Sequence, residues 1–289
     1  MTLRDALVAL RPAQWVKNAF VLVGTLFGHR WTTPDFQHAG LAFAAFCMAA
    51  SAVYLYNDWI DRDADRLHPT KRQRPIAAGR LTGAQVAIMG LLAAAAAYAL
   101  AATLGPAMVF LISAYFGLNI AYTLWLKHIV IADVFAIAGG FQLRLFAGTT
   151  GLGIPPSHWL LLCGFALTLL LALGKRRGEL LVPGASSATT RSVLGDYSLP
   201  LLDQMLGICA TLTLAGYGLY TISPDTAAVH GAADLPYTIP IVTYGVFRYL
   251  YVLRSDEDGD GDPSRLLFAD RHLLGAAVLW LAVVVLIMR

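Results

Sequence analysis

The run Leu41-Ala-Phe-Ala-Ala-Phe-Cys-Met-Ala-Ala-Ser-Ala-Val-Tyr-Leu55 is apolar almost throughout. It passes directly into Tyr56-Asn57-Asp58-Trp59-Ile60-Asp61-Arg62-Asp63-Ala64-Asp65. About 20 predominantly apolar residues carry a helix across the hydrocarbon layer of a bilayer, so the first stretch reads as a membrane span and the second as its charged end. Working outward, comparable apolar runs are centred near residues 21, 47, 92, 115, 139, 165, 210, 244 and 280. The first is the least regular, because Gln14, Lys17 and Asn18 lie at its start. Composition agrees: 57% of the 289 residues are hydrophobic and 13% charged, against roughly a quarter charged in soluble domains. A mean hydropathy of +0.62 points the same way. The expectation is an all-α, polytopic membrane protein with nine transmembrane helices. Disorder, a secreted disulfide scaffold and a nucleic-acid module are excluded, and a net charge of +3 is too small to imply a polyanion partner.

The joins at 103–106 and 149–156 are short and rich in Gly, Pro and Thr, as tight turns require. Those at 58–82, 174–198 and 254–272 are longer and polar. With nine spans, the N-terminus shares a side with the loops after spans two, four, six and eight. Of 21 Lys and Arg, all but Arg30, Arg144 and Arg289 lie on or next to that side, and the opposite loops 103–106, 149–156 and 222–236 carry none. The positive-inside rule makes the N-terminus and the polar loops cytoplasmic. Most acidic residues gather on the same face. Ionisable residues reaching membrane depth mark a functional site by default, whereas a solvated rim of loops explains only the outer ones. Cys47, Cys163 and Cys209 each sit inside an apolar run without ligand spacing and read as small buried hydrophobes. Met1–Leu10 is too short and too charged for a cleavable signal peptide.

At 100° per residue, Asp58, Asp61 and Asp65 fall within a sector of about 60°, Asn57 borders it, and Asp63 points nearly opposite. Three carboxylates at a helix C-terminus repel one another and oppose the macrodipole. A cation must offset them. Oxygen ligands that leave room for substrate phosphates are how Mg²⁺ is usually held; the plain alternative is neutralisation by Arg62, Arg66 and Lys71. The following segment, His68-Pro69-Thr70-Lys71-Arg72-Gln73-Arg74-Pro75 with Gly79-Arg80, puts phosphate-pairing Lys71, Arg72 and Arg74 beside the acidic end. For Arg72 and Arg80 a positive-inside anchor is an equal reading. His68 has no second ligand at metal spacing and reads as a loop hydrogen-bonder.

Asn57-Asp58-x2-Asp61-x3-Asp65 resembles the first aspartate-rich motif of the UbiA superfamily of intramembrane prenyltransferases. The flanking stretches Arg11-Pro12-x-Gln14-Trp15-x-Lys17-Asn18, His68 to Gly79, Leu126-Lys127-His128, Gly174-Lys175-Arg176-x2-Glu179-Leu180 and Asp270-Arg271 look like its decaprenyl-phosphate phosphoribosyltransferase branch. The resemblance covers nearly the whole chain. It implies a single UbiA-like transmembrane domain over 1–289, nine helices in a bundle with a cytoplasm-facing polar cavity, location in the cell inner (plasma) membrane, and Mg²⁺ on Asp58, Asp61 and Asp65. The implied activity is that of a glycosyltransferase moving 5-phosphoribose from phosphoribosyl diphosphate to a polyprenyl phosphate, for cell-envelope arabinan precursors.

For the second half of the site, Asp133 and Arg144 are eleven residues apart and return to one helical face within about 20°. Ile137 and Gly140 lie between them, with Gly140 open to close approach. The family usually shows a second aspartate-rich motif here, and this chain has only Asp133. That departure argues against a second Mg²⁺ held wholly by carboxylates and against an ordinary prenyl diphosphate donor. A helix-end bridge between Asp133 and Lys127 is the bland reading. Lys175 and Glu179 form an i, i+4 pair by default, while the resemblance places Lys175, Arg176 and Glu179 along the polar cavity. Tyr197 matches a family tyrosine that could bond a ribose hydroxyl or phosphate, or serve as an interfacial anchor. The expected catalytic residues are Asn57, Asp58, Asp61 and Asp65. Substrate contacts are expected from Lys17, Lys71, Arg74, Lys127, Asp133, Arg144, Lys175, Arg176, Glu179 and Tyr197.

The acidic segment 256–262 begins like an EF-hand loop, but its twelfth position is Leu267 and no helical hand flanks it; a cytoplasmic acidic loop is expected. No Walker or dinucleotide fingerprint occurs. Two rivals remain. One is a conventional prenyltransferase moving a prenyl group from a prenyl diphosphate to an aromatic or other small acceptor. The other is a transporter, which should show interrupted helices in matched halves, and none are seen.

Overall fold

The helix that carries the acidic end, Thr33–Ile60 (here α3), spans 28 residues, about 42 Å. Thr32 and Asp35 close its N-terminus as a capping box, with Pro34 in the first turn. In this computed structural model, residues 2–67, 71–181, 192–224, 226, 234–255 and 262–288 are described, and among them every regular element is helical. His68 and the acidic segment 256–261 lie outside the described residues. In chain order the α-helices are α1 (Leu3–Leu10), α2 (Val23–Phe27), α3, α4 (Arg62–Leu67), α5 (Gly83–Leu104), α6 (Pro106–Leu124), α7 (Ala132–Gly148), α8 (His158–Leu181), α9 (Leu199–Ile222), α10 (Ile239–Ser255), α11 (Pro263–Ala269) and α12 (Arg271–Ile287).

Five of these, α3, α5, α6, α8 and α9, are long and apolar enough to cross a membrane. Among the described residues α7, α10 and α12 have 17 residues each. The protein is therefore a multi-pass, all-helical membrane protein, and among the described residues five helices meet the length and hydropathy needed for a span. The run centred near residue 21 departs most from expectation. It forms a 3-10 segment, Pro12–Leu22, followed by the short α2. At three residues per turn, Trp15, Asn18 and Val21 align on one face. Trp15 Nε1 donates to Ser51 Oγ (3.1 Å), Asn18 Nδ2 to Cys47 Sγ (3.2 Å), and Val21 is wholly buried. Ser51 and Cys47 are themselves one α-turn apart on α3. A 3.0-residue period thus meets a 3.6-residue one, and those polar contacts fix the tighter winding. Close backbone packing adds to it: a Cβ at Gly24 would strike the Gly148 carbonyl, and one at Gly148 would strike the Val21 carbonyl.

The chain forms two compact units, Met1–Lys127 with Gly139–Pro155, and His128–Ala138 with Pro156–Arg289. In the first, Ala42, Ala45, Phe46, Ala49 and Val53 of α3 bury against Ala97 and Ala101 of α5 and Met108, Ile112 and Tyr115 of α6. The 3–4 residue spacing gives one stripe per helix, and the alanines let the helices approach closely, as membrane helices do. The opposite face of α5 exposes Ile88, Leu91 and Leu92, which suits lipid rather than water. In the second unit, Leu169, Leu170 and Leu173 of α8 pack with Leu202 and Leu206 of α9 and with Val246, Tyr249 and Leu253 of α10. Helical hydroxyls are satisfied locally, as at Thr168 to the Gly164 carbonyl and Thr213 to that of Cys209. The three cysteines are unpaired; Cys47 and Cys209 are buried and Cys163 partly so. Asp270 caps α12 through the Leu273 N–H and takes Arg248 through two hydrogen bonds of 3.0 and 2.7 Å. The Arg248 bonds hold the Asp270 carboxyl down at about 2. Its stabilisation is complete above the ordinary carboxylate range and is lost as pH falls through that value.

Candidate active site

Helix α3 ends at Ile60, Asp61 takes the C-cap position, and the chain re-enters helix at Arg62. The acidic end is thus two helical pieces joined by a turn, not one continuous helix. The phasing across it holds, because the Asp65 N–H still bonds the Asp61 carbonyl at 2.8 Å. Asp58 and Asp65 are each 5% exposed, Asp61 is half-buried, and the Asp63 side chain is 71% exposed.

Each inward carboxylate has a definite cation. Arg74 Nη1 donates to Asp65 Oδ2 at 2.6 Å and to Asp58 Oδ1 at 3.1 Å. Arg11 Nη2 reaches the same Asp58 oxygen at 2.5 Å, and Lys127 Nζ donates to Asp61 Oδ1 at 2.7 Å. The plain alternative of neutralisation by Arg62 and Arg66 is not what forms: both pair with the outward Asp63, at 3.6 and 3.0 Å, and Arg62 also lies over the Trp59 ring. Lys71 stands half-buried in the 3-10 turn Lys71–Gln73. The Asn57 side-chain oxygen accepts from Thr123 of α6 at 2.5 Å.

Arg11 was not among the expected site residues, although its motif was read. It holds φ 53° at the end of α1, immediately before Pro12. That left-handed conformation is costly for a side-chain-bearing residue and clusters at functional positions. Here it aims the guanidinium at Asp58 and across the Tyr54 ring, 5.0 Å from its centroid.

Among the described residues, no group of three or more His, Cys, Asp or Glu side chains is gathered closely enough to hold a metal ion. The donor chemistry nevertheless fits a hard divalent cation, because carboxylate oxygens of Asp58 and Asp65 already converge on one cationic nitrogen. Asp61 lies one turn away with a carboxylate held by a single lysine.

Deeper in the same unit, Arg144 is 6% exposed. Its Nε donates to Asn18 Oδ1 at 2.7 Å, Nη1 to the Gly140 carbonyl at 2.8 Å, and Nη2 to the Tyr115 hydroxyl at 3.0 Å. The close approach expected at Gly140 is this bond from its own helix; a Cβ there would make only ordinary contacts. Lys17 is half-buried on the 3-10 segment beside Asn18.

In the second unit Asp133 and Arg176 are both 0% exposed. Arg176 Nε donates to Asp133 Oδ2 and Nη1 to Glu179 Oε2, each at 2.5 Å, while the Tyr197 hydroxyl donates to Asp133 Oδ1 at 2.7 Å and accepts the Ile131 N–H at 2.8 Å. In place of the bland helix-end bridge to Lys127, burial matches Asp133 to a fully enclosed guanidinium. Burial, then the Asp133 carboxylate, raises the Tyr197 phenol far above its ordinary value, so it stays a donor. Lys175 is half-buried beside this network on α8.

The comparisons with known proteins agree with one another. The chain is 34% identical to the decaprenyl-phosphate phosphoribosyltransferase of Corynebacterium glutamicum, over 98% of this chain and 87% of that protein. It is also 34% identical to the protein of that name from Mycobacterium tuberculosis, over 96% and 91%. Among solved structures, a UbiA homolog from Archaeoglobus fulgidus bound to GPP and Mg²⁺ superposes with a TM-score of 0.74, covering 98% of this chain and 99% of that one at 16% identity, and so shares its fold. A family model described as the UbiA prenyltransferase family matches residues 18–270, and with an acidic helix end ringed by cations inside this all-helical membrane fold, the chain belongs to that family.

Proposed function

We propose that this protein transfers 5-phosphoribose from phosphoribosyl diphosphate to a polyprenyl phosphate of the decaprenyl type, releasing diphosphate. The observation that carries the reading is the near full-length likeness to relatives named for that activity. The family match runs through both compact units, which supports taking 1–289 as a single domain. The match in fold supports nine crossings, and the Lys/Arg asymmetry supports a cytoplasmic N-terminus and acidic cluster in the inner (plasma) membrane. Supply of cell-envelope arabinan precursors is the role this activity would serve.

Departure of diphosphate leaves an oxocarbenium-like ribose, so the main task is to stabilise charge on the leaving group. Arg11, Arg74 and Lys127 provide fixed cations at the acidic end for that purpose. Asp58, Asp61 and Asp65 would hold Mg²⁺, which when bound adds Lewis-acid neutralisation of the diphosphate. Asn57, bonded to Thr123, sets the position of the motif's first residue between α3 and α6. Lys17, Lys71 and Lys175 serve remote phosphate groups, and Asp133, Arg176, Glu179 and Tyr197 form a second charged locus supporting the substrates. The acceptor phosphate is already anionic near neutral pH, so no general base is needed.

The donor decides the matter. Purified protein given labelled phosphoribosyl diphosphate and a polyprenyl phosphate, with Mg²⁺, is expected to form a phosphoribosylated lipid and diphosphate. Consumption of a prenyl diphosphate with an aromatic acceptor instead would establish ordinary prenyl transfer, the reading favoured by the GPP-bound structural relative. Orientation has its own test: cysteines introduced at 72–80 and at 177–180 should label with an impermeant maleimide only from the cytoplasmic side. Labelling of the two segments from opposite sides refutes the arrangement.

A further inference from the structure

Among the described residues three arginines are buried, Arg144, Arg176 and Arg177, and Arg177 pairs with Asp203. Arg176 is matched by two carboxylates. Arg144 has none: among the described residues no carboxylate lies within ion-pair distance of it, and its partners are an amide oxygen, a backbone carbonyl and a phenol. The Tyr115 and Phe141 rings flank it, 4.8 and 5.2 Å from the guanidinium carbon. A guanidinium stays charged in any protein environment and carries five N–H groups, of which three are accounted for. A buried, uncompensated charge is costly unless it is paired, and two N–H groups in one plane suit an oxyanion.

Its depth bears on which oxyanion binds there. Asn18, which holds Arg144, bonds Cys47, and Cys47 precedes Asp58 on α3 by eleven residues, about 16 Å. Tyr115 precedes Thr123, the partner of Asn57, on α6 by eight residues, about 12 Å. The cation therefore lies two to three turns below the acidic end, among apolar side chains. A single displacement at the anomeric carbon needs the nucleophile on the side opposite the leaving group. With the diphosphate at the acidic end, that side is the deeper one, where a lipid-borne phosphate arrives from the bilayer. The donor's own second phosphate, across the ribose ring, reaches about as far from the leaving group as the attacking phosphate does, and the titration with phosphoribosyl diphosphate tells the two anions apart.

We infer that Arg144, oriented by Asn18 and Tyr115, is the subsite for the phosphate monoester of the lipid acceptor. The inference rests on the phosphoribosyl-transfer reading for the identity of the acceptor, but binding tests it independently of turnover. The probe is farnesyl phosphate, with farnesol as control, titrated into detergent-purified full-length protein and followed by the shift in melting temperature. Asn18→Asp is the informative variant. It is nearly isosteric and supplies an internal carboxylate to the Arg144 Nε, so a purely structural arginine would tolerate it. As a subsite, it should bind farnesyl phosphate roughly tenfold to a hundredfold more weakly, while binding of inorganic diphosphate with Mg²⁺ is unchanged. Arg144→Gln, which removes the charge, should show the same selective loss if Asn18→Asp is not recovered folded. Unaltered farnesyl phosphate affinity in either variant, equal loss of diphosphate binding, or a selective loss of phosphoribosyl diphosphate binding overturns the assignment. Failure of the transfer assay with wild-type protein would overturn the reading of function instead, and the farnesyl phosphate titration would still report on Arg144.

Discussion

Transfer activity is expected to fall by on the order of 10²–10³ in Asp58→Ala, Asp61→Ala and Asp65→Ala, and by much less in Asp63→Ala. The geometry separates the four. Asp58 and Asp65 converge on Arg74, Asp61 faces Lys127, and Asp63 turns outward to Arg62 and Arg66. An exposed pair of the last kind contributes only about 0–1 kcal/mol, so its loss should leave both fold and rate nearly intact. Asp58 carries a complication, since removing it also strips Arg11 of its carboxylate and some of the loss will be structural. Asp61 is the cleaner test: its side chain is 39% exposed and holds one lysine. Asp61→Asn should keep the wild-type melting temperature and lose most of the rate, measured as initial velocity at saturating donor across a Mg²⁺ titration. An Asp63→Ala defect as deep as that of Asp61→Ala would refute the division of faces.

That division was legible in the sequence because it needs only the 100° step of a helix. The pairing of charges was not. Arg11 and Asp58 are 47 residues apart, and Lys127 and Asp61 are 66 apart; no local periodicity connects them, so the nearest basic residues, Arg62 and Arg66, look like the natural partners and in fact serve Asp63. The same limit hid the partner of Asp133. The long helices were readable from their caps and apolar lengths, as at Thr32-x2-Asp35 and Thr82-x2-Gln85. The first run was not, because a three-residue winding set by Trp15, Asn18 and Val21 has the same composition as an α-helix. Arg11 left a faint signal, a basic residue before proline at the end of a helix, which could have been followed to a left-handed backbone and a fixed side chain.

Asp133 gives the second large effect, and it bears on stability before activity. Asp133 and Arg176 are both fully enclosed, and removing one partner of such a pair leaves a buried charge that costs about 3–5 kcal/mol. Glu179, 21% exposed at its side chain, remains to hold Arg176, which favours the lower end. Asp133→Ala should therefore unfold well below wild type in detergent, while Tyr197→Phe, which removes one hydroxyl from the same carboxylate and leaves the Ile131 N–H unpaired, should cost about 1–3 kcal/mol. The double variant Asp133→Leu/Arg176→Met removes both charges and should be milder than the sum of its singles, the mark of direct coupling. Activity then separates two roles for this locus. If the network only holds α7 to α8, rate per folded molecule in Tyr197→Phe should match wild type. A fall in turnover per folded molecule, beyond the loss of stability, would place these groups against substrate, as Asp133, Arg176, Glu179 and Tyr197 are proposed to act here. A melting temperature for Asp133→Ala equal to wild type would remove the ion pair from any structural account.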